Sequence, residues 1–361
     1  MSLPPTPPTD ASINTSIHTY ESTLPYFNGF TNLHIAIDDY TNIFARVRPG
    51  TSDVILVMIH GYPQSSWMYR YATKYLPKEF TLFIPDIPGY GFSTINTPTS
   101  NIEAYNKLSH ARSILHALDY YLNRSPGGSS IGCTSDNPQK IILLGHDRGA
   151  RITQRIGFNI SEFPQFDILG IFLADIVPIV IQFSSLADPI KAVSTFHWAF
   201  LAAQQGLPEG MIQAFGGEKW VEYCLGKWGG SGPGAAHGPA ETAEKEKIEE
   251  GVYVHSMHFK KQSVVEASCA DYRAAAHSDA EKEKREWEDG ERIQVPTGVV
   301  FSEKYLGSRY DVPGVWKEWV AGDKLKTYGL GNGVGHFCFE EAPEMAYGKF
   351  NEWVKDVLEM P

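Results

Sequence analysis

The chain has 361 residues, 42% hydrophobic and 20% charged, with a formal net charge of −11. That composition suits a globular chain long enough for one large core plus an insertion, and its acidity argues against nucleic acid or an anionic membrane as the main partner. Four scattered cysteines, Cys133, Cys224, Cys269 and Cys338, make no CxxC or Cys/His metal spacing, so free thiols are expected; no apolar run is long enough to span a membrane, and a cytoplasmic location is the default.

Residues 1–15 open Pro/Thr-rich, without a charged-then-apolar signal pattern, and read as a disordered tail. Leu33 to Val47 alternates apolar and polar residues about Asp38-Asp39-Tyr40, which predicts a hairpin at a sheet edge. Val54 to Ile59 is continuously apolar, so a buried central strand, and ends in His60-Gly61-Tyr62-Pro63. A helix through Trp67 to Tyr75 follows, then a buried strand at Thr81 to Pro85 and a Gly/Pro loop from Asp86 to Ser93. Ile102 to Leu122 has helical periodicity, and Ser125 to Pro138 is a surface loop.

Ile141 to Leu144 forms another strand, followed by Gly145-His146-Asp147-Arg148-Gly149 and an amphipathic run from Ala150 to about Phe163. Ile168 to Ala174 is the next strand, with Asp175 at its carboxyl end. From Ile179 to Gln294 the strand rhythm stops; the segment is helical, aromatic early and charged late, and Glu281 to Glu288 is expected to be a solvated face. Val295 to Ser302 resumes the sheet, Lys324 to Leu330 is the last strand, and Ala342 to Leu358 is a closing amphipathic helix. The pattern predicts an α/β fold: a mostly parallel, doubly wound sheet with an inserted helical cap. Its core spans 1–178 and 295–361, and its cap 179–294.

Small residues around a central acid, between strand and helix, make a sharp elbow with Asp147 at its tip. A carboxylate there attacks carbon and forms an alkyl ester. An ordinary aspartate N-cap has the same local pattern, so the reading rests on the other strand-end loops, which carry His60-Gly61-Tyr62-Pro63, Asp175 and Gly335-His336. The chain order nucleophile, acid, histidine is that of α/β-hydrolases, with His336 as base and Asp175 orienting it. Glu303 and Asp311 follow the next strand and are rivals for the orienting acid.

In these segments the chain resembles α/β-hydrolases with an aspartate nucleophile: haloacetate (fluoroacetate) dehalogenases, and more distantly epoxide hydrolases. The matching stretches are HGYPQSSWMYR (His60 to Arg70), DIPGYG (Asp86 to Gly91), GHDRGARITQR (Gly145 to Arg155), LADIVP (Leu173 to Pro178), FHWAF (Phe196 to Phe200), ADYRA (Ala270 to Ala274) and GHF (Gly335 to Phe337). The resemblance implies that Asp147 forms the ester and that His336, with Asp175, activates water to hydrolyse it. It further implies an oxyanion hole from the backbone N–H groups of Tyr62 and Arg148, a carboxylate clamp from Arg148 and Arg151, and leaving-halide donors in His197, Trp198 and Tyr272.

No metal or cofactor is expected; the partners are a small-molecule substrate and water, with a homodimer left open. An epoxide hydrolase with the same acids and a tyrosine as proton donor (Tyr272, Tyr253 or Tyr223) is the alternative, and a non-catalytic ligand receptor on the same fold is a third. The stretch from Gly229 to Ala280 looks expanded, which leaves a larger substrate open.

Overall fold

The computed structural model describes residues 9–124, 133–231 and 242–360. Nine strands form one sheet: β1 (Thr31–Ala36), β2 (Thr41–Arg48), β3 (Val54–Ile59), β4 (Thr81–Pro85), β5 (Thr94–Ile95), β6 (Gln139–His146), β7 (Phe166–Ala174), β8 (Thr297–Ser302) and β9 (Leu325–Leu330). The order is β1-β2-β4-β3-β6-β7-β8-β9, with the two-residue β5 paired to β2. The edge hairpin is antiparallel and β4 through β9 along that path are parallel, as the apolar runs predicted.

Period-two alternation sends successive side chains to opposite faces. Val57, Ile59, Ile141 and Leu143 join one core cluster with the helices Lys107–Arg124 and Arg148–Phe158. Leu56, Met58, Ile142 and Leu144 join the other, against the closing helix Pro343–Glu359. Each fully buried aliphatic side chain contributes roughly 1.5–3 kcal/mol, so slipping a central strand by one residue would cost many such contacts. Register therefore fixes where strands end. Ile59 pairs with Gly145, His146 with Ala174 and Ala174 with Val300, so the loops after β3, β6 and β7 emerge side by side.

Between β7 and β8 the chain is helical, from Ile179–Ser184 through Ala280–Glu288. Residues 232–241 of the expected expansion, and 125–132 of the expected loop, lie outside the described residues.

Several expectations are corrected. The tail reading fails from residue 10: Asp10–Glu21 is a helix, N-capped by Thr9, and residues 1–8 lie outside the described residues. Ile13 and Ile17, one turn apart, are buried with Phe44, Trp67, Phe92 and Val254. At its end Glu21 pairs with Arg46 of β2 at 2.8 Å, and Asn14 and Asp10 accept from Lys261 and Ser263 of the helical insertion. The expected helix through Trp67–Tyr75 is two short pieces, a 3₁₀ turn Ser66–Tyr69 and a helix Ala72–Tyr75. The charged run is not wholly solvated. Glu283 and Glu286, three apart and so on one helix face, are buried: Glu286 binds Arg155 at 2.5 Å and Glu283 accepts from the Val180 N–H at 3.0 Å.

Candidate active site

The turn after β6 places Asp147 at φ 46°, a backbone region costly for a residue with a Cβ. Packing leaves it no alternative. A Cβ on Gly145 would come within 2.4 Å of the Gly149 carbonyl oxygen, and one on Gly149 within 2.1 Å of the Ile59 oxygen. The elbow is wedged between neighbouring strand ends, and the Asp147 N–H donates to the Ala174 carbonyl at 3.1 Å.

The Asp147 carboxylate faces two partners. The Tyr62 N–H donates to its Oδ2 at 3.0 Å, and His336 Nε2 lies 4.0 Å from its Oδ1. On the far side of the imidazole, His336 Nδ1 donates to Asp175 Oδ2 at 2.6 Å, while Asp175 Oδ1 accepts from the Ser302 N–H at 2.8 Å. Asp175 also has positive φ, 56°. Its rivals are elsewhere: Glu303 is exposed, and Asp311 is an exposed N-cap that accepts from the Gly314 N–H. His146 Nε2–H donates to the His336 carbonyl at 2.7 Å and so steadies the same loop.

Charge sets the protonation states. Burial pushes the Asp147 carboxyl up, but His336, Arg148 and Arg151 outweigh it and hold the group below the usual carboxylate range. Burial pushes His336 down, yet the hydrogen bond and charge of Asp175, with the charge of Asp147, leave it above the ordinary histidine value. Burial takes His197 down to about 3, so it is a neutral ring at physiological pH.

These residues line one small chamber with Arg151, Gln182, Thr195, His197, Trp198, Trp228, Tyr272, Tyr305, Leu306 and Arg309. Its cavity volume is ≈ 20 Å³, room for roughly one or two waters. His197, Trp198 and Tyr272 therefore share this chamber with Asp147 and His336. Tyr223 and Tyr253 do not: they are 42% and 41% exposed and line no part of the chamber.

The expected Arg148–Arg151 clamp is split. Both residues are buried, but Arg148 Nε donates to Asp271 Oδ2 at 2.7 Å and its Nη2 to the Asp271 carbonyl at 3.0 Å, and it does not line the chamber. Asp271 is a hub that also takes Lys107 and Tyr90. Arg151 does face the chamber: Nη1 donates to the Val177 carbonyl at 2.6 Å, the guanidinium lies over Trp198, and Nε has no partner. His60 is a packing residue. Its Nε2 accepts from the Ile87 N–H at 3.0 Å, which leaves Nδ1 to donate to the Gly61 carbonyl.

Sequence reasoning missed the loop after β8. The Tyr305 ring lies 5.3 Å from that of His336 between centroids, tilted 43° to it, and the Arg309 guanidinium is 4.0 Å from the centre of the Tyr305 ring. Their spacing of four after a buried strand is the one signal that hinted at a shared face. Among the described residues neither Arg151 nor Arg309 has an acid within 4.0 Å, although the charge of Asp147 reaches Arg151 across the chamber. Among the described residues no group of three or more His, Cys, Asp or Glu is arranged for a metal, no helix is long and apolar enough to cross a membrane, and all four cysteines are free and buried.

A profile of the Alpha/beta hydrolase family matches residues 56–346. A fluoroacetate dehalogenase from Burkholderia sp is 25% identical over 335 residues, 91% of this chain and 95% of that protein. Among solved structures, ALR0039 from Nostoc sp PCC 7120 is 26% identical, with a TM-score of 0.73 over 91% of this chain and 99% of that one. The epoxide hydrolase CorEH is 17% identical, with a TM-score of 0.69 over 91% of this chain and 99% of that one, a likeness that speaks for the fold alone.

Proposed function

The chain belongs to the alpha/beta hydrolase family, and we propose that it hydrolyses the carbon–halogen bond of a small 2-haloacid. An Asp147 oxygen displaces halide from the saturated carbon and forms an alkyl ester. His336 then takes a proton from water, which attacks the ester carbonyl of Asp147 and releases hydroxy acid. Asp175 steadies the imidazolium. The Tyr62 and Arg148 N–H groups hold the oxyanion of the tetrahedral intermediate.

One observation carries the reading. An ionised carboxylate on a strained elbow stands 4.0 Å from a histidine whose other nitrogen is bound to a second acid. Three features then favour a small haloacid. The chamber is tight, and Arg151 offers a guanidinium without an acid partner to a substrate carboxylate. His197, Trp198 and Tyr272 supply N–H and O–H groups for a departing halide. The likeness to a fluoroacetate dehalogenase points the same way. Arg148 has a second task in this reading: with its guanidinium tied to Asp271, it contributes its backbone N–H and a fixed positive field beside Asp147.

Epoxide hydrolysis is the second reading, favoured by two tyrosines, Tyr272 and Tyr305, on the chamber wall. Turnover in heavy-oxygen water, followed by mass analysis of the peptide bearing Asp147, tests the ester: label is expected in the Asp147 carboxylate, and its absence after many turnovers removes the nucleophile. Halide release from chloroacetate, measured beside diol formation from a styrene oxide, separates the two chemistries.

A further inference from the structure

The loop that carries His336 is tied to the helical insertion by two backbone hydrogen bonds. The His336 N–H donates to the Trp228 carbonyl at 3.0 Å, and the Ser231 N–H to the Gly333 carbonyl at 2.8 Å. The two backbones meet at glycines. A Cβ on Gly230 would come within 2.0 Å of the Gly333 oxygen, and one on Gly335 within 2.1 Å of the Gly230 nitrogen.

At this seam sits a carboxylate that the reaction does not use. Glu341 lies at the end of the short helix Cys338–Glu341 and turns back toward the loop. Its Oε2 accepts from the Gly335 N–H at 2.7 Å and from the Gly230 N–H at 2.9 Å, and its Oε1 accepts from the Phe337 N–H at 2.9 Å. No lysine or arginine among the described residues pairs with it. Three backbone donors converge on one acid. Two of them are the residues immediately before and after His336, and the third belongs to the insertion.

We propose that Glu341 is a positioning residue for the general base: it pins the backbone on both sides of His336 and ties that loop to the cap. The inference rests on the proposed roles of Asp147 and His336. It predicts a separation of the two half-reactions. Ester formation uses the Asp147 carboxylate, the Arg151 guanidinium and the halide donors, none of which Glu341 hydrogen-bonds. Ester hydrolysis needs the imidazole at a fixed distance from water, where a displacement of about 1 Å costs on the order of a hundredfold. Glu341→Ala leaves three donors without their acceptor. Glu341→Gln keeps one oxygen but sets an NH₂ against an N–H, so it should be the milder change.

The test is a rapid quench of each variant with chloroacetate, following halide by ion analysis and the covalent adduct by intact mass. The wild type should show no accumulated ester. Glu341→Ala should release close to one equivalent of halide rapidly and then turn over ~10–100-fold more slowly, with Asp147 carrying the ester; Glu341→Gln should fall between. His336→Ala serves as the reference for a blocked second half-reaction. Ester accumulation in His336→Ala but in neither Glu341 variant overturns the proposal. A slowed halide burst without adduct also overturns it, because that is what general loosening of the fold gives. If His336→Ala accumulates no ester, the nucleophile reading fails instead, and Glu341 loses its role with it. Should Glu341→Ala not fold, Glu341→Gln and Gly230→Ala address the same seam, and both are expected to accumulate ester.

Discussion

The two walls of the chamber are built on different principles. On the core side Asp147, Asp175 and His336 come from the loops after strands, and backbone hydrogen bonds hold the two acids, the Asp147 N–H to Ala174 and the Asp175 N–H to Val300, 2.8 Å, while the Tyr62 N–H behind them donates to Asp147. On the cap side His197, Trp198, Trp228 and Tyr272 hold one another by ring contacts, with centroids 4.2 Å apart for His197 and Trp228 and 5.3 Å for Trp198 and Tyr272. Hydrogen bonds weaken steeply when bent and so hold orientation; ring packing fixes volume and tolerates a change of outline. In the proposed reaction, bond making belongs to the first wall and the choice of substrate to the second.

Asp175→Asn attacks the core wall and should give the largest effect. Hydrolysis of the ester should slow by ~10³–10⁴-fold. Its pH profile should move too. His336 must be neutral to act as base, so wild-type hydrolysis should rise with pH as the imidazolium loses its proton; Asp147 carries no charge in the ester, which leaves Asp175 as the group that opposes burial at His336. With Asp175 neutralised, burial is less opposed and the rise should move to lower pH. A pH–rate series on single-turnover hydrolysis reads both, and an unmoved limb would break the assignment of Asp175.

Arg151→Gln tests whether a charge on the chamber wall selects the substrate. The KM for a haloacid should rise ~10–100-fold with little change for a neutral epoxide. Equal losses on both would mean that Arg151 only supports the elbow. The same substitution at Arg309 shows which of the two guanidinium groups on the chamber wall holds the carboxylate.

Tyr272→Phe removes one hydroxyl from the ring-packed wall and should have the smallest effect, a ~3–10-fold slower halide release in a single turnover with ester hydrolysis unchanged. A loss as large as that of Asp175→Asn would erase the distinction between the walls.

Much of the core wall could be read from the sequence, because its determinants are local. A continuous apolar run predicts each buried strand, and the small residues around Asp147 and before His336 mark the turns that follow. The missed features depend on partners far along the chain. Glu283 and Glu286 look solvated in a charged run, and only Arg155, 131 residues away from Glu286, explains why the latter is buried. Arg148 and Arg151 sit three apart at a helix start and look like a pair, but Asp271, 123 residues on, draws Arg148 away. Ile13 and Ile17 are too few in a Ser/Thr-rich stretch to announce a helix; the surface waiting for them on Phe44, Trp67 and Val254 decides it.

The left-handed backbone at position 147 sets stability against chemistry. Glycine would relax there at no steric cost, recovering about 1–3 kcal/mol of conformational strain. It would also remove an ionised group from the interior of the protein. In the proposed reaction, the tip of the elbow is thus a position where drift toward a more durable molecule leads away from turnover, so that selection for that reaction is what would keep an acid there.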